Sequence, residues 1–486
     1  MSKKKHIWLI TTDQMRGDAL GCENPAVITP HLDALAEEGT VFKRAYCASP
    51  VCTPSRASIF TGRYPHVHGA WNIGVSLNEE ELTLCDHLKS FGYRTAGVGK
   101  MHFRQQLKTG FVHEAEEVSV RDRGRERDGT YFGFDEHHIT EDNMMGEYLD
   151  DVAERAPEAA ARLKKDLYRS EDAAGDVWES ELAPELHQTR WIADRSIRVI
   201  EEHRSDEPLF LWSSFVDPHH PFNPPQAYAK LYEHADIPGP TGDDSDIEGR
   251  PEHLRLQKRK GYWPGGGEAH SRDSDHMTRL VRNYYAMITF IDEEIGRIRN
   301  AWKEKGMDDE LLIVFTSDHG ELLGDHGLLY KGPWFYEGLT RIPMILRGPG
   351  IRKGAVTDAL MEHVDIVPTL LELIGIKTMP AGIQGMSQRS VASGDGVRRV
   401  RESAMTSYDA HDRGIHAKCL RTDRYKLVIF ADEAYGELFD LESDPGERVN
   451  RFLDPVYREI KQQLMEMFIQ RLMRDQDPLP VRQAFW

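Results

Sequence analysis

The sequence predicts an α/β protein, with a large, mostly parallel or mixed β-sheet sandwiched by helices and a small C-terminal subdomain of antiparallel strands plus one helix. Short apolar, β-branched segments alternate with helical segments along much of the chain. Several of these segments are continuously apolar, which is typical of strands buried on both faces. From about residue 396 onwards, short strands follow one another without intervening helices.

The N-terminal part of the chain shows the alternation most clearly. Strands are predicted at residues 6–12 (HIWLITT), 39–46 and 93–99. Helices are predicted at residues 29–39, 53–62 and 82–92. The first two have proline in the first turn, where its missing N–H costs nothing, and glycine at the end.

The rest of the chain continues the pattern with two interruptions. Residues 104–188 are less regular and strongly charged, and residues 238–274 are rich in Gly, Pro and charge. Both exceed ordinary loop lengths, so we interpret them as insertions. The sequence further predicts these segments: helices at 186–203, 276–305, 363–375 and 455–474, and strands at 208–216, 311–317 and 341–350. A Gly/Ser stretch at 390–399 divides a catalytic-size domain, 1–395, from a C-terminal subdomain, 396–486.

Composition excludes several classes of protein. The chain has 486 residues, 40% of them hydrophobic, so it can bury a core without disulfides. Five cysteines without a CxxC pair argue against a disulfide framework and a structural zinc site. The net charge of −19, from 61 basic and 80 acidic residues, argues against nucleic-acid binding over a broad surface.

No segment predicts targeting or membrane insertion. The apolar run after the basic start is too short for a signal peptide, and no stretch approaches the roughly 18 apolar residues of a membrane span. We therefore expect a soluble, cytoplasmic protein that does not contact a membrane. The sequence leaves a homo-oligomer open.

Three predicted strands end in polar residues that a core does not use. These are Asp13-Gln14, the segment 217–220 (DPHH) and the segment 318–321 (DHGE). Open α/β sheets bind ligands beyond the carboxyl ends of their strands. Carboxylates that converge there suit a hard divalent cation, so the sequence predicts a metal site.

Cys52 lies beside the predicted N-terminus of a helix, one residue before Thr53-Pro54. Backbone N–H groups and the helix dipole favour an anion there, which predicts a lowered thiol pKa or a bound oxyanion. Arg56, one turn further, is placed to face the same point. A buried structural cysteine is the alternative interpretation.

These segments resemble the sulfatase family of the alkaline phosphatase superfamily. CTPSRASIFTG, residues 52–62, resembles its signature, in which the cysteine is oxidised to formylglycine. Further matches follow in the family's order: TTDQ at 11–14, GKMH at 99–102, DPHHPF at 217–222, TSDHGELLGDHG at 316–327, Lys331 and ELFDLESDPGE at 437–447. Residues 104–188 and 238–274 are unmatched.

The resemblance implies a metal centre that holds one divalent cation, with Ca²⁺ favoured over Mn²⁺ or Mg²⁺. Its implied ligands are Asp13, Gln14, an oxygen of the converted Cys52, Asp318 and His319. Gln14 stands where many members of the family have a second Asp. Its amide oxygen can coordinate a cation but carries one negative charge fewer.

The resemblance also implies a catalytic role for several side chains. Formylglycine made from Cys52 by a formylglycine-generating enzyme would be the nucleophile, with Arg56 assisting its ionisation. Lys100 and Lys331 would neutralise sulfate oxygens. His102 would accept the proton of the second hydroxyl, and His219 or Lys331 would protonate the leaving oxygen. Asn72 would contact the substrate, a small-molecule or oligosaccharide sulfate ester of aryl or carbohydrate type.

Two alternatives remain at this point. Phosphonate monoester hydrolases and phosphodiesterases share the signature, the Asp-Gln and Asp-His pairs and a counterpart of Asn72. The Lys and His of GKMH favour the sulfate ester. A catalytically silent binding homologue is disfavoured because the catalytic set is complete. The alcohol half of the substrate depends on loops around the strand ends.

Overall fold

A twisted sheet lies at the centre of the structure, a computed structural model that describes residues 5–104, 130–142, 146–167, 177–204, 206–247 and 274–475. Within these residues the sheet has nine strands in the order β4–β3–β5–β1–β6–β8–β2–β7, with β9 paired to β2. The strands are β1 His6–Thr12, β2 Gly39–Tyr46, β3 Arg94–Gly99, β4 Glu136–Ile139, β5 Leu209–Ser214, β6 Leu311–Ser317, β7 Arg341–Ile342, β8 Met344–Arg347 and β9 Ala355–Glu362. Strands β4, β3, β5, β1 and β6 run parallel, and β8 is antiparallel to both β6 and β2.

Helices cover both faces of this sheet. The α-helices of the described residues are α1 Pro30–Glu38, α2 Cys52–Thr61, α3 Pro65–His68, α4 Leu84–Ser90, α5 Glu147–Arg155, α6 Pro157–Leu167, α7 Gln188–Glu202, α8 Gln226–Ala229, α9 Ser274–Glu304, α10 Glu337–Thr340, α11 Ile366–Leu373, α12 Arg389–Ala392 and α13 Arg458–Arg474, the last of which packs on the C-terminal sheet. Strand β1 shows how the two cores arise. Trp8 and Ile10 pack with α1, α7 and α9, whereas Ile7 and Leu9 pack with α2, α4 and α11. Alternate side chains point to opposite faces, so a continuously apolar strand fills both cores. The predicted fold class is confirmed.

The parallel strands direct their carboxyl ends to one edge of the sheet. Asp13 follows β1, Lys100 follows β3, and Asp318 follows β6. Backbone hydrogen bonds hold these ends in register, from Asp13 N–H to the Asp217 carbonyl and from Asp318 N–H to the Thr12 carbonyl. The polar residues predicted at separate strand ends therefore converge.

A second sheet lies in the C-terminal part of the chain. Its four described strands, β10 Ala404–Ala410, β11 Ile415–Arg421, β12 Tyr425–Phe430 and β13 Gly436–Asp440, are antiparallel in sequence order. One face packs against Phe335 and Tyr336, and the other packs against α13 through Leu464 and Phe468. The division at residues 395 and 396 stays a prediction.

Part of the expected irregular insertion is regular. Between residues 104 and 188, strand β4 extends the parallel edge of the main sheet, and α5 and α6 follow it. Strand β4 was not predicted, because its sequence EHHI has the polar composition of an edge strand, whereas the neighbouring strands are apolar runs. Residues 105–129, 143–145 and 168–176, and residues 248–273 of the second insertion, lie outside the described residues.

No helix in the described part of the chain combines the length and apolar character that crossing a bilayer requires.

Candidate active site

Four predicted metal ligands meet at the edge of the main sheet. One atom each from Asp13, Cys52, Asp318 and His319 lies within 4.8 Å of the others. All four side chains are buried. Carboxylate oxygens, an imidazole nitrogen and the Cys52 position form a set of donors that suits a divalent cation.

Cys52 is the first residue of α2, after Val51 in an extended conformation, and the helix ends at Gly62 in the left-handed region. Its Sγ is 2.8 Å from Lys331 Nζ, 3.2 Å from His319 Nε2 and 3.7 Å from Asp13 Oδ1. Burial and the neighbouring Asp13 carboxylate raise the pKa of the Cys52 thiol to about 12. The expectation of a lowered thiol pKa is wrong, because desolvation outweighs Lys100 and Lys331.

His319 presents one ring nitrogen to this cluster. Its Nδ1 donates to the Gly320 carbonyl at 2.8 Å. The proton therefore sits on Nδ1, and Nε2 keeps its lone pair toward Cys52. A backbone carbonyl that fixes the tautomer in this way is the usual support of a metal-binding histidine.

Gln14 has an unusual backbone conformation and an unsatisfied oxygen. Its φ of 68° lies in the left-handed region, which is uncommon for a residue with a side chain. The Gln14 N–H donates to Asp318 Oδ1 at 3.0 Å, and Nε2 donates to Glu321. The side chain is fully buried, yet Oε1 has no hydrogen-bond partner among the described residues. A buried acceptor without a donor fits coordination of a cation.

Arg56 organises the two carboxylates. The guanidinium is fully buried and donates to Asp13 Oδ2 at 2.9 Å and Asp318 Oδ2 at 2.8 Å. It also donates to the Lys100 carbonyl and Ser214 Oγ, both at 2.8 Å. These bonds fix both acidic side chains, so Arg56 acts on the site by positioning them.

Two lysines bring positive charge next to Cys52. Lys100 Nζ is 2.7 Å from Asp13 Oδ2 and 3.9 Å from Cys52 Sγ. Lys331 Nζ is 3.4 Å from His319 Nε2. Burial by itself would raise the pKa of Asp13, but Lys100 and Lys331 hold that pKa well below its usual range. Asp13 is therefore an anion at neutral pH, as a metal ligand must be.

His102 and His219 are both neutral in this environment. Burial and Lys100 lower the pKa of His102 well below its usual value, and its Nδ1 is buried without a partner among the described residues. Burial and Lys331 lower the pKa of His219 to about 3. His219 Nδ1 donates to the His220 carbonyl at 2.6 Å, and the two rings stack with centroids 4.1 Å apart.

Asn72 faces a different part of the protein from the other predicted site residues. Its Nδ2 donates to the Asp409 carbonyl at 2.5 Å, and its Oδ1 accepts from the Ile73 N–H at 2.7 Å. These bonds join it to the C-terminal sheet rather than to the Cys52 cluster. Its contact with substrate stays a prediction.

Glu141 and Asp142 belong to the site, and the sequence analysis missed both. Glu141 Oε1 accepts from the His102 N–H at 2.9 Å and from the Met101 N–H at 3.2 Å. His102 has a φ of 54°, so Glu141 supports a strained backbone. Asp142 pairs with Lys100 Nζ. Both residues follow β4, and the rule of polar residues at strand ends would have found them had that strand been recognised.

The fold and the site together define a class of protein: an α/β protein in which two buried lysines adjoin a buried cluster that could hold a metal ion. The family named Sulfatase matches residues 5–376, and the family named N-sulphoglucosamine sulphohydrolase, C-terminal, matches residues 324–474. An arylsulfatase of Clostridium perfringens is 32% identical over 96% of this chain and 94% of its own length. An N-acetylglucosamine-6-O-sulfatase of Bacteroides thetaiotaomicron is 25% identical over 98% of this chain and 88% of its own.

Among solved structures, a phosphonate monoester hydrolase of Agrobacterium radiobacter matches with a TM-score of 0.83 at 25% identity, over 98% of this chain and 96% of that one. The Sulfatase family match covers most of the chain. This chain belongs to the sulfatase family and is an enzyme that hydrolyses sulfate esters.

Proposed function

We propose that this sulfatase cleaves aryl or carbohydrate-type sulfate esters with a nucleophile made from Cys52 and one divalent cation. The observation that carries the proposal is the buried, unpartnered Oε1 of Gln14 beside the cluster of Asp13, Cys52, Asp318 and His319. Carboxylate, amide and imidazole ligands together suit a divalent cation. The same cluster adjoins two lysines that can receive an anionic ester.

The residues present fit a resident cation. Asp13, Gln14, Asp318, His319 and the converted Cys52 would hold it, and oxygen-rich ligands favour Ca²⁺, with Mn²⁺ admitted by the imidazole. When bound, the cation supplies positive charge that favours ionisation of the attacking hydroxyl. Arg56 keeps both carboxylates in place through its hydrogen bonds to Asp13 and Asp318.

The chemistry of Cys52 favours its conversion. A buried thiol with a pKa of about 12 is almost entirely protonated at neutral pH and is a weak nucleophile. Formylglycine at this position supplies, as its hydrate, one hydroxyl for attack on sulfur and a second for release of sulfate. The conversion requires a formylglycine-generating enzyme as a partner.

The remaining side chains bind the ester and move protons. Lys100 and Lys331 neutralise the sulfate oxygens as charge moves in the transition state. His102, neutral with a free Nδ1, accepts the proton of the second hydroxyl. His219 or Lys331 protonates the leaving oxygen; for His219 the bound anion must first favour the imidazolium.

A second candidate function is phosphonate monoester or phosphodiester hydrolysis. The similarity of fold to the Agrobacterium radiobacter hydrolase favours it, together with the Asp13-Gln14 pair. The sulfate ester is supported by the identity to the arylsulfatase and by Lys100 and His102 at the site. A silent binding homologue is disfavoured because the described cluster is complete.

A substrate panel tests the proposal. The enzyme, produced with a formylglycine-generating enzyme and loaded with Ca²⁺, is assayed on nitrophenyl sulfate, a nitrophenyl phosphodiester, a nitrophenyl phosphonate and sulfated mono- and disaccharides. We expect the highest kcat/KM with a sulfate ester. A phosphonate or phosphodiester rate far above every sulfate tested would overturn the proposal.

A further inference from the structure

We propose that Asp142 is a charge-selecting residue of the anion site, where its carboxylate competes with the bound ester for Lys100 and disfavours ligands with two negative charges. The inference rests on the proposed function, because it takes the reacting anion to bind at Lys100 and Lys331. It adds a determinant of substrate class that lies between β4 and α5, outside the sequence motifs.

Asp142 and Asp13 of the metal cluster both contact the ammonium group of Lys100. Its Oδ1 contacts Lys100 Nζ, the same atom that lies 2.7 Å from Asp13 Oδ2 and 3.9 Å from Cys52 Sγ. The Asp142 side chain is 19% exposed, whereas the side chains of Lys100 and Asp13 are fully buried. Asp142 is therefore the partner of Lys100 that solvent and an arriving ligand can reach.

The contacts of Asp13 and Asp142 determine which of the two carboxylates an ester displaces from Lys100. Asp13 is held by Arg56 as well as by Lys100, and it belongs to the proposed metal cluster. Within the described residues, Asp142 has a hydrogen bond to Lys100 alone. An oxygen of the ester that binds Lys100 therefore takes the place of Asp142, and the freed carboxylate stays next to the bound anion.

The charges around the site make the Asp142 carboxylate act differently on ligands with one and with two negative charges. Three cations, Arg56, Lys100 and Lys331, form ion pairs with three carboxylates, Asp13, Asp318 and Asp142. A cation held by the proposed metal cluster would therefore supply the positive excess. Coulomb repulsion scales with the product of the charges, and partly buried charges are weakly screened. The repulsion between Asp142 and a dianion is thus about twice that with a monoanion.

Classes of ester differ in the charge of the reacting group, so a charge preference distinguishes between them. Sulfate esters, phosphodiesters and phosphonate monoesters carry one negative charge at the reacting group, whereas phosphate monoesters at neutral pH carry two. The displaced carboxylate of Asp142, which stays next to the bound anion, weakens binding of the second class more than of the first. A repulsive group of this kind raises specificity because it weakens the binding of the dianionic ligand.

The test uses two unreactive ligands of nearly equal shape. Benzenesulfonate is a monoanion, and phenylphosphonate is predominantly a dianion at about pH 8.5. Their dissociation constants for the Ca²⁺-loaded protein are measured by calorimetry for the wild type and for Asp142→Asn. We expect the substitution to tighten phenylphosphonate about 30-fold and benzenesulfonate about fivefold, because only the charge term is removed.

Matched variants make the result specific. Asp142→Glu keeps the charge and should keep the wild-type preference, whereas Asp142→Ser should act like Asp142→Asn. Asp358→Asn removes the same charge from a surface carboxylate that is 74% exposed and should change neither constant. Equal tightening of both ligands, unchanged affinities or weaker binding would each overturn the proposal.

The binding experiment is independent of turnover. If the charge preference shifts as expected but no sulfate ester is hydrolysed, the proposed function fails while the role of Asp142 stands. If sulfate esters are hydrolysed but both constants stay the same, the role of Asp142 fails alone.

Discussion

At the scale of the residue, the candidate site consists of buried side chains from separate parts of the chain that meet around Cys52. Cys52, Asp318 and His319 stand in motifs whose residue types match their predicted roles, and the structure brings them together. Glu141 and Asp142 stand in no motif, and only tertiary contacts with His102 and Lys100 give them a role. Sequence alone also could not predict the thiol pKa of Cys52, because that pKa depends on burial.

Gln14 gives a prediction for metal binding. Replacing Gln14 with Met keeps the size of the side chain but removes the oxygen that has no other partner. We expect Ca²⁺ affinity, measured by calorimetry, to fall about 10- to 100-fold, as it does when support of a metal site is lost. Gln14→Glu should bind at least as tightly as the wild type, and Gln462→Met, in an exposed helix position, should have no effect. Unchanged affinity in Gln14→Met would exclude Gln14 as a ligand.

At the scale of the element, apolar strands were predictable and the polar edge strand was not. Strands β1 and β6 are continuous apolar runs buried on both faces, and their positions follow from the sequence. Strand β4 is held instead by its ladder to β3 and by polar contacts. His138 of β4 is 3.2 Å from a Glu136 oxygen and 3.1 Å from a Glu147 oxygen at the start of α5.

The contacts of His138 predict that the attachment of β4 depends on pH. Hydrogen bonds to Glu136 and Glu147 raise the pKa of His138 from 6.5 to about 9. A raised folded-state pKa means that the stabilisation is complete below pH 6.5 and is lost as the pH rises to about 9. The side chain is partly exposed, which weakens the effect of its charge. We therefore expect His138→Gln to lower the free energy of unfolding by about 1 kcal/mol at about pH 6 and by almost nothing at about pH 10.

The measurement is the urea midpoint of unfolding, together with hydrogen exchange of the β4 amides, at both pH values. His234→Gln, at an exposed position, is the matched control and should show no pH-dependent difference. A cost for His138→Gln that is equal at both pH values would refute the charge-based attachment.

At the scale of the whole molecule, buried ion pairs join the C-terminal part of the chain to the main sheet. Glu362, at the end of β9, pairs with Arg401 and with Arg471 of α13. Arg471 also donates to the Ser403 carbonyl at 2.8 Å. The sequence predicted the two sheets separately, because each has a local pattern, but not their junction, which joins residues far apart in the chain.

Removing one partner of this network should be costly. We expect Arg471→Met to lower the free energy of unfolding by about 3–5 kcal/mol, because it leaves Glu362 buried with less compensation. Arg474→Met, on the same helix but with its side chain 70% exposed, should change stability by less than about 0.5 kcal/mol. Urea unfolding measures both, and similar small effects for the two variants would show that the junction is not held by these charges.

The central claim is that the nucleophile is made from Cys52, and mass spectrometry tests it most directly. Trypsin releases residues 45–56, which contain both Cys47 and Cys52, from active enzyme purified after expression with a formylglycine-generating enzyme. We predict that Cys52 has lost its sulfur and carries an aldehyde oxygen, while Cys47 remains an alkylatable thiol and serves as the internal control. Fully active enzyme in which Cys52 is still a thiol would contradict the account.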